Sequence, residues 1–367
     1  MYKKFDEIFE DVTKLGTKVK TDEYHSSGKH QIIDQGQEIV AGYTDLEKGL
    51  FEDVPAIIFG DHTRIIKYVD QPFFLGADGV KVLRSRLEAA NYRYLYYALK
   101  NVKIPNTGYN RHFKWLKTAQ IKWPNAETQS DIVAVLDRIS KIIKYRQRQL
   151  QKLDELVKAR FVEMFGDSRF NTMQWPTKKL SELCDVSSSK RIYQNEQSTE
   201  GVPFLRISDL NERIDNVKNE PELFIPINKY NELKENGLVP TEGDILVTSR
   251  GTLGRCYIVR PEDEFYFQDG MISWLSDLSH QITNLYLSQL FGMSGIQKQI
   301  ASLQAGSTVA YLSISMLKRL DIMLPPLNLQ NQFAVFFKQT DKSKVAVQKA
   351  LDEAQLLFDS LMQKYFG

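Results

Sequence analysis

The sequence predicts an α+β chain built twice: two globular mixed α/β units, each followed by one long helix, related by an internal pseudo-two-fold duplication. Three observations carry this. The segment 122–166, KWPNAETQSDIVAVLDRISKIIKYRQRQLQKLDELVKARFVEMFG, lies without a gap over 323–367, MLPPLNLQNQFAVFFKQTDKSKVAVQKALDEAQLLFDSLMQKYFG, at a constant offset of 201. Identical pairs include Pro124/Pro325, Gln129/Gln330, Lys141/Lys342, Gln147/Gln348, Leu150/Leu351, Leu156/Leu357, Phe165/Phe366 and Gly166/Gly367. Two unrelated amphipathic helices share apolar periodicity by chance, but not a proline, a glutamine and a Phe-Gly ending at one offset. Second, both segments place apolar residues three and four apart, the spacing of one helix face. Third, residues 1–121 and 167–322 have another texture, rich in β-branched and aromatic residues broken by Gly, Asn and Asp.

In the first unit AIIFG, TRIIKYV and GVKVLR predict strands and YRYLYYALKN a short helix. The first long helix then follows, with Leu136, Ile139, Ile143, Leu150, Leu153 and Val157 on its packing seam. The second unit repeats the scheme with strands in GDILVTS, RCYIVR and FYFQDGMISWL and a helix in NLYLSQLFGMSG. The second long helix carries Phe337, Val347, Leu351, Phe358 and Leu361. Such narrow seams ask for a partner helix rather than a broad core. Arg146 interrupts the first and Thr340 and Lys344 the second. Each helix has a proline at its entry, which blocks extension backwards, and about 35 helical residues span roughly 50 Å. The expected organisation is 1–121, a globular unit; 122–166, the central helix; 167–322, a second globular unit; 323–367, the last helix. Each Phe-Gly then closes its own half-unit.

Length and composition agree. At 367 residues two or more domains are the default. A chain that is 42% hydrophobic and 26% charged is globular rather than disordered. No apolar run is long enough to cross a bilayer, and MYKKFDEIFEDV puts acids where an export signal needs an apolar run. Two cysteines, Cys184 and Cys256, imply no disulfide framework, so a cytoplasmic location is expected. A net charge of +2 neither favours nor excludes nucleic acid, which needs a local basic stripe rather than a basic total.

The arrangement resembles the specificity subunit of type I restriction–modification systems, over essentially the whole chain. The two P-x(4)-Q helix entries with Phe-Gly endings carry the resemblance, with IIDQGQEIVAGYTD (32–45), FGDHTRIIKYVDQPFFLGADGVKVL (59–83), ILVTSRGTLGRCYIV (245–259) and GSTVAYLSISMLKRLDIMLPPL (306–327). The resemblance implies that the globular units are target-recognition domains, each reading one half of a split, asymmetric site in double-stranded DNA. It implies that the long helices pair as an antiparallel coiled coil and dock two modification subunits, with restriction subunits also in the complex. Two rigid readers on one duplex face sit on the order of 34–36 Å apart, a separation that paired helices can hold and a flexible linker cannot.

On that reading the first unit's candidate DNA contacts are Lys29, His30, Gln31, Gln35 and Gln37 in SSGKHQIIDQGQ, since Gln presents a paired donor and acceptor to adenine. Arg64 follows beside Asp61 and His62, where a structural turn is the plainer reading. Asn110, Arg111, His112 and Lys114 lie in TGYNRHFKW, which aligns with GSTVAYLS. In the second unit they are Lys190 and Arg191 in SSSKRIY, Arg206 as an exposed arginine on a strand LRISDL, and Thr248, Ser249, Arg250 and Thr252 in TSRGTLGR. There glycines permit close backbone approach to phosphate, and Arg pairs bidentately with guanine. The basic run Arg138, Lys141, Lys144, Arg146, Arg148 and Lys152 reads first as a solvated helix face.

No phosphate-binding G-x-x-x-x-G-K-[ST] loop occurs, and LPPL lacks the polar residue of an amino-methyltransferase tetrapeptide. A non-catalytic chain is expected, with no metal and no cofactor of its own. The resemblance places S-adenosylmethionine, ATP and Mg on partner subunits. The competing readings are a nuclease with an unrecognised active site, for which ELK at 232–234 is a weak signal, and a coiled-coil scaffold unrelated to DNA.

Overall fold

The computed structural model describes residues 1–76, 78–217, 219–304 and 310–367. Residues 306–309, which open the 306–327 motif, lie outside the described residues. Contacts group the chain into two units, Met1–Arg148 with Val347–Gly367, and Gln149–Ala346.

The first unit carries nine strands: β1 (Tyr2–Lys4), β2 (Phe9–Asp11), β3 (His30–Ile33), β4 (Gly42–Thr44), β5 (Ala56–Gly60), β6 (Ile66–Val69), β7 (Phe73–Leu75), β8 (Val80–Ser85) and β9 (Gln120–Lys122). Its helices are α1 (Phe5–Ile8), α2 (Tyr92–Lys100), α3 (Phe113–Leu116) and the start of α4 (Ala126–Phe165). The strands form a sheet of order β2-β8-β5-β6, a second of order β4-β3-β7, and the pair β1-β9. β5, Ala56-Ile57-Ile58-Phe59-Gly60, is buried at every position, as a central strand covered on both faces must be.

The second unit repeats this strand for strand. It has β10 (Thr177–Lys179), β11 (Asp185–Ser187), β12 (Val202–Leu205), β13 (Phe224–Ile225), β14 (Ile245–Thr248), β15 (Cys256–Ile258), β16 (Tyr266–Phe267), β17 (Ile272–Ser276) and β18 (Asp321–Met323). The orders are β11-β17-β14-β15, β13-β12-β16 and β10-β18. In both three-stranded sheets one neighbour of the middle strand is antiparallel and the other parallel. The same backbone bond recurs in both, Phe5 N donating to the Ala119 carbonyl and Leu180 N to that of Leu320, whose acceptors keep the offset of 201. The extra length of this unit is helical: α5 (Ile207–Ile214) and α6 (Ile227–Glu235) precede β14, and α8 (Ser294–Leu303) separates α7 (Asn284–Phe291) from α9 (Ile314–Lys318). The last helix, α10, spans Leu327–Phe366.

The long helices α4 and α10 have 40 residues each, about 60 Å of rise. Asn125 caps α4 by accepting from Thr128 N at 2.8 Å. The shared proline and glutamine act together at each entry. The Gln129 amide donates to the Pro124 carbonyl at 3.0 Å, and the Gln330 amide to that of Pro325 at 2.9 Å.

In the first unit Ile132, Leu136 and Ile139 of α4 are buried in one cluster with Phe358 and Met362 of α10. Tyr97 of α2 links them: its hydroxyl bonds Asp137 at 2.5 Å and its ring lies 6.1 Å from Phe358. Tyr94, one turn back, donates to the Lys122 carbonyl at 2.6 Å and packs 5.3 Å from Phe366. As α4 advances, α10 runs the other way. Within the second unit Phe161 meets Phe333 at 5.4 Å and Asp154 pairs with Lys344 at 2.6 Å, which is again antiparallel. Of the expected seam residues, Leu136, Ile139, Val157 and Phe358 are buried. Ile143, Leu150, Leu153, Phe337, Val347, Leu351 and Leu361 are half-buried.

One expectation is corrected. Phe165 is fully buried against Tyr286 and Phe333 inside the second unit, while Phe366 packs on Tyr94 in the first. Each Phe-Gly therefore completes the unit other than the one its helix starts in, Phe165 against Tyr286 and Phe366 against Tyr94.

Candidate nucleic-acid interface

The structure sorts the sequence candidates by whether the chain already uses them. In the first unit the turn 61–64 is built by its neighbours. Gln35 accepts from His62 N at 3.1 Å, its amide donates to the Asp78 carbonyl at 3.1 Å, and its own carbonyl accepts from the Thr63 hydroxyl at 2.7 Å. Gln35 is a clamp rather than an open reader. Beneath it, buried Lys67 reaches the Glu38 carbonyl and Asp34, fastening the loop. Burial pulls the Lys67 ammonium down from its ordinary range, and Asp34 opposes the shift. Arg64 takes φ +63, and its side chain reaches the Ile104 carbonyl only at 3.5 Å.

His112 is wholly buried, its two ring nitrogens lying 3.0 Å from the Asp61 carbonyl and 3.3 Å from the Thr107 hydroxyl. It holds the loop and does not face outward. Asn110 bonds back to Thr107. Arg111 and Lys114 are exposed, Lys114 lying over Trp115. Gln31 donates to the Gln71 carbonyl, His30 sits edge-on to Phe74, and Lys29 pairs with Glu47 at 3.0 Å. Gln37 is exposed.

In the second unit Thr248 and Ser249 continue the buried run of β14 and point inward. The Thr248 hydroxyl donates to the Thr252 carbonyl at 2.6 Å and accepts from Arg255 N, and that of Ser249 meets Ser273 at 2.7 Å. They shape the 248–255 hairpin, with Thr252 exposed at its tip. The glycines serve its geometry: Gly254 has φ +75, and a Cβ there would meet the Ile300 Cδ1 at 2.9 Å.

LRISDL is not a strand with an exposed arginine. β12 ends at Leu205, and Arg206 caps α5, its backbone N–H donating to Asp209 at 2.8 Å. Its guanidinium pairs with Asp209 and Glu222. Arg191 pairs with Asp269 at 2.9 Å, Arg213 with Asp263 and Arg255 with Asp215. Lys190 is exposed. Arg250 differs from these arginines: among the described residues it has no carboxylate, and lies 5.0 Å over the ring of Tyr311.

No group of described residues has the composition of a metal site, and no described helix is long and apolar enough to cross a membrane. Both thiols are shielded, burial pushing Cys184 up to about 12 and raising Cys256 as well.

The model of the type I restriction modification DNA specificity domain matches residues 1–155 and again 173–354. The chain belongs to that family. This specificity chain is 26% identical, over 76% of its length and 71% of the relative's, to a Haemophilus influenzae protein carrying the name of a type I restriction enzyme specificity subunit. It is 24% identical to the MjaVIII specificity subunit of Methanocaldococcus jannaschii, over 70% and 67% of the two chains. In fold it is similar to the crystal structure of the type I restriction–modification S subunit from M. genitalium, with TM-score 0.60 and 17% identity across 100% of this chain and 96% of that one. The two matched stretches of the specificity chain each contain one nine-strand set.

Sequence reasoning passed over two aromatics, the exposed Tyr109 and the half-buried Tyr311. The signal was present: both lie in the segments TGYNRHFKW and GSTVAYLS that align across the duplication.

Proposed function

We propose that this chain is the sequence-reading subunit of a type I restriction–modification complex. Its two units each read one half of a bipartite, asymmetric site in double-stranded DNA. The observation that carries this is a repeated nine-strand topology whose surface loops differ between copies. Equivalent frames give equivalent placement on a duplex, and unlike loops give unlike half-sites. The paired helices α4 and α10 act as the spacer and dock two modification subunits. Their exposed apolar residues, such as Leu156 at 48% and Leu357 at 51%, supply surface for that contact. Restriction subunits join the same complex. On this reading the chain catalyses no step, and S-adenosylmethionine, ATP and magnesium bind the partner subunits in the cytoplasm.

The test is to sequence base methylation in the host genome with and without this chain. A split motif that disappears on deletion and returns on complementation is expected. A methylation pattern unchanged by deletion overturns the proposal.

A further inference from the structure

The two units place one more feature at the same point of their shared topology. In the first, β5 ends at Gly60 opposite Val80, and Asp61 follows. The Asp61 N–H donates to the Gly79 carbonyl at 2.7 Å, and its own carbonyl accepts from His112 N at 2.8 Å. In the second, β14 ends at Thr248 opposite Ile272, and Ser249 follows. The Ser249 N–H donates to the Met271 carbonyl at 2.8 Å, and its carbonyl accepts from Leu312 N at 3.0 Å. Asp61 and Ser249 are thus fixed in the same way in the two copies, and the residue that follows is His62 in one and Arg250 in the other.

Each of these two side chains meets a tyrosine from the segment leading into the short helix α3 or α9. Tyr109, 87% exposed, stacks on His62 with ring centroids 4.6 Å apart and planes 7° from parallel. Tyr311 bridges Arg250 through the backbone and receives its guanidinium at 5.0 Å. In both, the inner nitrogen, His62 Nδ1 or Arg250 Nε, is buried with no hydrogen-bond partner among the described residues. The surrounding groups Gln35, Asp61, His112, Thr248 and Ser249 are all bonded. Buried orphans are uncommon, and two at equivalent points, beside otherwise satisfied neighbours, mark side chains held by a ring face rather than by a partner. Stacking leaves the outer edge of an imidazole or guanidinium free to bond a ligand.

We propose that each unit reads DNA bases with this pair, His62 on Tyr109 in the first and Arg250 on Tyr311 in the second. The inference rests on the reading of the chain as a DNA-specificity subunit, and adds the residues through which it discriminates. A planar guanidinium held on a tyrosine suits the bidentate edge of guanine. An imidazole presents one donor or acceptor, so the two units make unlike readings from one frame.

The experiment reconstitutes the full chain with its modification subunits and maps methylated sites on a random-sequence library. The chains compared are wild type, Arg250→Ala, Arg250→Lys and His62→Ala. Each variant is expected to relax at least one position in one half of the motif, with methylation of the wild-type site falling roughly tenfold to hundredfold. The Arg250 and His62 variants are expected to affect different halves. Arg250→Lys keeps the charge but not the planar fork, and relaxes the same half. Cooperative melting checks that each variant folds. Should an alanine variant not fold, Arg250→Lys carries the test. Variants that mark the wild-type motif at the wild-type rate, or that relax both halves, overturn the proposal. A wild-type complex that marks no split motif would instead sink the underlying reading of the chain.

Discussion

Gln330 shows why one residue type recurs at both helix entries. It is fully buried and makes three hydrogen bonds, accepting from Thr283 N at 2.8 Å and donating to the carbonyls of Gln281 at 3.0 Å and Pro325 at 2.9 Å. Among the described residues the Gln129 side chain bonds the Pro124 carbonyl alone. Truncation leaves buried donors and acceptors unpaired, so Gln330→Ala is expected to cost the second unit about 2–3 kcal/mol and Gln129→Ala the first about 1 kcal/mol. Hydrogen exchange resolved by unit would measure both, and equal costs would refute the account. The shared glutamines were legible in the sequence, but their partners were not, since Gln281 and Thr283 come from a loop far along the chain. The same blindness affected the arginines. Asp269, which pairs with Arg191, is as ordinary in sequence as any other acid. Thr248 and Ser249 were misplaced for a nearer reason: they end a run, ILVTS, that already reads as a strand buried on both faces.

At the scale of elements, local pattern located the longest buried strands and the long helices, but not short buried strands such as β7 and β12. AIIFG, GDILVTS and YRYLYYALKN each contain the element expected of them. LRISDL failed because Arg206 and Asp209 form a helix-opening pattern that outweighs the apolar residues around it. On the long helices, apolar spacing located the seam but not how deeply each position is covered. Leu136 and Phe161 are fully buried, while Leu156, which recurs in the second helix as Leu357, is 48% exposed. Leu136→Ala is expected to destabilise the first unit by about 2–5 kcal/mol and Phe161→Ala the second by about 3–5 kcal/mol. Leu156→Ala should stay within about 0.5 kcal/mol. Denaturant titrations followed by hydrogen exchange separate the units, and a Leu156 variant as unstable as Leu136→Ala would contradict the burial.

For the whole molecule, the duplication was legible because it is written in identities, yet the assignment of each helix end was not. Nothing in RFVEMFG says which tyrosine it will pack on. The contacts give the second unit one continuous stretch, Gln149–Ala346, and the first unit two pieces. A chain ending at Ala346 is therefore expected to keep the second unit's protection from exchange. Its first unit loses Phe358, Leu361, Met362, Tyr365 and Phe366 and opens. Limited proteolysis checks this: cleavage confined to residues 1–148 is the expected result, and cleavage throughout 149–346 would count against it.

That division has a consequence for synthesis. Residues 1–148 leave the ribosome first, but the segment that covers Tyr94 and Leu136 is translated about 200 residues later. At about 5–20 residues per second the delay is roughly 10–40 s. During that interval the second unit can fold while the older one waits with an uncovered apolar flank. The unit begun before the other is finished after it, and in that interval residues 1–148 are the part most exposed to chaperones and proteases.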